Sequence, residues 1–165
     1  MSSTVLTESP VKQFNTTVYG FINDLKTIFG EHDKDIQTLH MACDMTKINV
    51  RLVLTPFQYY ISNNPIFVKH MMDMNVDYFL AYDYTEMVKE NEFSDDYNHK
   101  LIQKFREATK LHRHNPQTVE SIFNWFKVMI YHAYRDEGKD PQKEMQRCQQ
   151  IAVDNRATPT SSTTA

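Results

Sequence analysis

The sequence predicts an all-α protein, a compact bundle of about five to seven helices, and three observations lead there. Phe14, Val18, Phe21, Ile22, Leu25, Ile28 and Phe29 recur at three- and four-residue steps, which sets them on one face of a helix with 3.6 residues per turn. Val119, Ile122, Phe123, Phe126, Ile130, Ala133 and Tyr134 repeat that stripe a hundred residues later. Only three glycines occur in 165 residues, against a usual share of about 7%, so turn-rich β architectures are disfavoured.

Ser9 and Pro10 open the first helix as N-cap and first helical residue, and Gly30 suits the left-handed position that closes it. After a charged link at 31–34, Ile36, Leu39, Met41, Cys43 and Met45 form a looser helical pattern. The segment Val50 to Ile61 contains Pro56, which lacks an N–H and clashes with the preceding turn, so a kink or restart is expected there. Asn64 and Pro65 open a short helix through Ile66, Phe67, Val68 and Met71. The stretch Asp73 to Lys89 reads as an aromatic-rich, irregular middle segment with helical turns. Residues 90–96 are acidic and polar, an exposed connection ending in an N-cap at Ser94 or Asp95. Leu101, Phe105, Ala108 and Leu111 then mark a helix with one narrow apolar edge and a basic flank. Asn115 and Pro116 begin the second striped helix, and a polar helix follows from about Pro141 to Ile151. The expected organisation is a flexible N-terminus at 1–9, one helical domain at 10–153, and a disordered tail at 154–165, where NRATPTSSTTA offers little apolar surface to offset ordering entropy.

Several function classes are disfavoured. Gly20, Gly30 and Gly138 stand too far apart for a dinucleotide fingerprint or a P-loop, both of which need clustered glycines for backbone N–H groups to approach phosphate. A formal net charge of −3 gives no overall attraction to a polyanion. Cys43 and Cys148 form no C-x-x-C pair and read as thiols of a reducing compartment. With no signal-peptide pattern and no membrane-length apolar run, an intracellular, soluble protein is expected. No catalytic motif occurs, no cofactor is implied, and a non-enzymatic role follows as the expectation.

Four candidate sites remain. Cys43, beside Leu39 and Met41, reads as a buried, inert thiol. His40 with Asp44, and His132 with Asp136, stand at i, i+4, a metal-ligand spacing, but no motif joins the pairs, and His132 reads as a solvated neighbour of Asp136. Lys100, Lys104, Arg106, Lys110 and Arg113, with His112 and His114, gather positive charge on one helix. Such a face suits phosphate or an acidic partner; its commoner explanation is a solvated surface interrupted by Glu107. Tyr59, Tyr60, Met71, Met72, Tyr78, Tyr82 and Tyr84 cluster in the middle and exceed what one helix face can bury. Tyr and Met are enriched at interfaces, so these residues are the leading candidates for contact with a protein partner.

The run Phe14 to Tyr84 resembles small helical proteins of nucleocytoplasmic large DNA viruses that infect algae and protists. The resemblance rests on F-N at Phe14 and Asn15, F-I-N-D-L at Phe21 to Leu25 and I-F at Ile28 and Phe29. It continues with Asn49 before an apolar helix, Pro56 followed by aromatics, and Y-F-L-x-x-D-Y at Tyr78 to Tyr84. It covers about half the chain and brings no catalytic residues with it. It implies a virally encoded protein, located in host cytoplasm or virion and packaged in or near the particle. The expectation is thus a helical interaction protein with a viral or self partner, with nucleic-acid binding through the basic helix as the alternative.

Overall fold

The computed structural model describes residues 8–81 and 97–152, and every regular element among them is helical. In chain order these are α1 (Pro10–Phe29), α2 (Lys34–Met45), α3 (Leu54–Phe57) continued by a π-helical turn (Gln58–Ser62), α4 (Pro65–Met72), α5 (Val76–Ala81), α6 (Tyr97–Leu111), α7 (Pro116–Asp136) and α8 (Pro141–Gln149). The eight α-helical segments among the described residues exceed the five to seven expected. One reason is α5, a helix in its own right where the sequence suggested a loop with helical turns. The expected cap at Ser94 or Asp95, the connection at 90–96 and the tail at 154–165 lie outside the described residues.

Local chemistry sets the helix starts. Ser9 Oγ accepts the Lys12 N–H, Asn64 Oδ1 that of Phe67, Asn115 Oδ1 that of Thr118 and Asp140 Oδ1 that of Lys143. Each of these caps is followed by proline at the first helical position, where the missing N–H has no intrahelical acceptor to lose. Gly30 closes α1 with φ 92°, a conformation that glycine adopts without strain. Pro56 falls in the first turn of α3, so it restarts the chain rather than breaking a helix. The π turn that follows directs Gln58 inward, where its Nε2 donates to the Ala133 carbonyl at 3.1 Å and to Asp136 Oδ2 at 2.8 Å.

α1 and α7 pack together more extensively than any other pair. Phe21 meets Phe126 edge-on at 5.6 Å, and Phe57 bridges Phe14 and Phe126. Around this axis α2 lies against α1 and α6, while α4 packs on α8 and α7. α5 reaches the core through Phe79, whose ring stands 5.1–5.6 Å from those of Phe67, Phe105 and Phe123. The apolar edge of α6 is Leu101, Ile102, Phe105 and Ala108; Leu111, expected to belong to it, is 62% exposed because it ends the helix beyond the core. α8 is polar outside but buries Met145 and Cys148. Among the described residues no helix is long and apolar enough to cross a membrane.

Candidate functional site

The middle aromatic cluster divides. Tyr59, on the π turn, is 70% exposed and meets Tyr60 edge-on at 4.6 Å, while Tyr60 packs partly against the core. Met72 and Tyr78 are half-buried, and Tyr78 stacks on His70 with ring centroids 3.8 Å apart. Met71 is fully buried. It shares the inner face of α4 with Phe67 and Val68, so it is a core residue and not a contact for a partner; its spacing of four from Phe67 carried that signal. Tyr82 and Tyr84 lie outside the described residues.

A second apolar surface arises where the sequence pattern was loose. α2 turns Ile36, Leu39, Ala42 and Cys43 inward, and the same helical geometry points Met41 and Met45, four residues apart, the opposite way. Both are exposed, as are Ile48 at 93% and Val50 in the turn after α2, and Tyr19 on α1. Asn15 ties that turn to α1 by donating from Nδ2 to the Val50 carbonyl at 2.9 Å. Between the turn and α1 runs an open groove of about 690 Å³, with Tyr19, Thr16, Asn15 and Lys12 on one wall and Asp44, Thr46, Lys47 and Val50 on the other. Tyr19 also meets His40 edge-on at 5.4 Å, and His40 and Met41 line an adjoining hollow. Two faces of α2, one wet and one dry, account for the weak periodicity of its sequence.

The basic helix is largely neutralised by neighbours distant in sequence. Lys104, 4% exposed, reaches Asp33 at 2.8 Å and Glu107 at 2.9 Å, with its ammonium 4.1 Å from the Phe29 ring centroid. Burial works to lower the Lys104 pKa, but the bonds to Asp33 and Glu107 outweigh it and hold the ammonium above its ordinary value. Lys100 pairs with Asp35 and Arg113 with Asp77. Arg106 donates to the carbonyls of Phe79 and Leu80 at the end of α5, where a cation satisfies carbonyls that the helix leaves open. Of the five, Lys110 is exposed with no partner among the described residues.

The two His–Asp pairs separate in role. His40 Nδ1 stands 3.9 Å from Asp44 Oδ2. His132 is not a solvated neighbour of Asp136: its Nδ1 contacts the Arg135 guanidinium at 3.2 Å, and burial and then Arg135 lower its pKa. Asp136 instead takes a two-pronged bond from Arg51 at 2.7 and 3.1 Å, and a third from Gln58. Among the described residues no group of three or more His, Cys, Asp or Glu side chains is placed to hold a metal ion. Burial, and secondarily Asp44, push the Cys43 thiol up to about 12, which keeps it protonated and unreactive. Comparison with known protein families, with curated proteins and with solved structures finds no match.

Proposed function

We propose that this chain is a non-enzymatic helical interaction protein of a large DNA virus, structural or virion-associated, which contacts a protein partner through an apolar surface. The observation that carries the proposal is the concentration of exposed apolar side chains in one short stretch, Met41, Met45, Ile48 and Val50, beside Tyr19 and an open groove. Scattered surface apolars are ordinary, whereas a grouped set beside a concavity favours a binding role. Tyr59 remains the candidate contact on the π turn. The viral assignment rests on the resemblance over Phe14 to Tyr84. Nucleic-acid binding draws less support, since Lys100, Lys104, Arg106 and Arg113 are already engaged within the fold.

The test compares retention of solubilised proteins from purified particles by the intact chain, by Met41→Ser with Ile48→Ser, and by Lys110→Ala with Arg113→Ala. Apolar anchoring predicts loss in the first variant and little sensitivity to salt, whereas phosphate contacts weaken steeply as salt rises. Loss confined to the basic variant, together with strong salt sensitivity, would replace this reading with the nucleic-acid one.

A further inference from the structure

Asn75, between α4 and α5, uses both ends of its side-chain amide. Its Oδ1 accepts the Tyr78 backbone N–H at 3.3 Å and so caps α5. Its Nδ2 stands 3.0 Å from His70 Nδ1. An amide nitrogen can only donate, so His70 Nδ1 is the acceptor and the imidazole carries its proton on Nε2. The cap also fixes the amide's direction: turning it over would offer an oxygen to His70 but set an NH₂ against the Tyr78 N–H. Protonating His70 therefore brings two donors face to face with no acceptor between them, and neither end of the amide can adjust without losing the cap.

We propose that His70, Asn75 and Tyr78 form an acid-sensitive latch, which holds the start of α5 against α4 while His70 is neutral and releases it when the imidazole is protonated. The His70 ring stacks on Tyr78 at an interplanar angle of 14°, so the group that titrates also supports the aromatic it would free. The far end of α5 stays anchored, because Phe79 is enclosed by Phe67, Phe105 and Phe123 and Arg106 holds the closing carbonyls. Release is thus an opening of the first turn, not loss of the helix from the fold.

Charges around the latch act in both directions. Burial lowers the His70 pKa, Lys69 lowers it further, and Asp73 opposes them. Lys69 is itself held by Asp73 and by the Gln149 carbonyl of α8. Gln149, uncharged, donates to Asp73, and Asp77 of α5 is turned outward to Arg113. Among the described residues no charge from α7, α8 or the π turn, the other elements packed on α4, acts on His70. With the folded value below the ordinary 6.5, the opened state binds the proton more readily. The latch is at full strength above that ordinary value and weakens as pH falls from it through the folded value.

The test is NMR on the full chain from about pH 7.5 to about pH 5, the range in which imidazole titrates. His70 should titrate below its ordinary value from the Nε2–H tautomer. The opening constant of the Tyr78 amide, corrected for intrinsic exchange, should rise towards about tenfold per pH unit, the limit for one linked proton. His70→Phe keeps a ring for stacking and should remove the pH slope. Asn75→Asp keeps a good cap but sets a carboxylate against Nδ1, so it should raise the His70 pKa and reverse the slope. Titration of His70 at or above the ordinary value in the natural chain, or an unchanged slope in His70→Phe, overturns the latch. This outcome is independent of the partner surface, which can fail or stand without it.

Discussion

A Cβ built on Gly20 would lie 2.8 Å from two ring carbons of Trp125, closer than a rigid indole can tolerate. The ring rests on bare backbone of α1, and its Nε1–H reaches Asp24 at 3.0 Å, one turn further along. Gly20→Ala must move the indole and strain that bond, an overpacking cost of about 1–3 kcal/mol, against a gain of about 1 kcal/mol in helix propensity. A net loss of about 1 kcal/mol in urea unfolding is expected. With Trp125→Ala in place the clash is gone, and the same substitution should stabilise by about 1 kcal/mol. Equal effects in both backgrounds would show that the indole does not require the glycine. Nothing in the sequence linked Gly20 to Trp125, since the close approach depends on how α1 and α7 meet.

Caps and their prolines were legible at the scale of the helix because they act within four residues of each other. Asn115→Ala, which removes the acceptor for the Thr118 N–H, should cost about 1 kcal/mol, and Asn115→Asp should recover most of it; equal stability of all three chains would mean that the cap contributes nothing. Contacts between elements were not legible. Among the described residues, the basic helix finds acidic partners distant in sequence in Asp33, Asp35 and Asp77, so the basic face apparent in the helix read alone is largely engaged within the fold. The turn after α2 is likewise fastened by a distant residue, through Arg51 to Asp136 at the end of α7. The Arg51 bond holds the Asp136 carboxyl below its ordinary value of 3.8, against burial and with help from Gln58. A depressed carboxylate stabilises the fold above its unfolded pKa, and that contribution is lost as pH falls through the folded value. Arg51→Gln should therefore lower stability near neutral pH and flatten its decline below about pH 4; an acid limb of unchanged steepness in thermal unfolding would show that the pair carries none of it.

For the whole molecule, the two striped helices identified the core, and the loose segments concealed the surface. The stripes of α1 and α7 were readable because burial on one side of a long helix imposes a period; Met41 and Met45 were not assigned to the surface because α2 is apolar on its wet face as well. The core assignment has a direct thermodynamic consequence. Phe21 and Phe126 are each fully buried, with rings nearly perpendicular at 88°. Either residue changed to Ala should cost about 3–5 kcal/mol, the loss of buried area plus the cavity left behind. Because the two rings touch, the cavities left by the two deletions merge, and the double variant should lose less than the sum of the singles, by about 0.5–3 kcal/mol. Ile48→Ser supplies the contrast: its side chain already stands in water, so unfolding should shift by no more than about 0.5 kcal/mol. Strict additivity of the two phenylalanine changes would mean that α1 and α7 do not share a core at this point. A large loss from Ile48→Ser would mean that its side chain is covered within the molecule, which would remove it from the proposed partner surface.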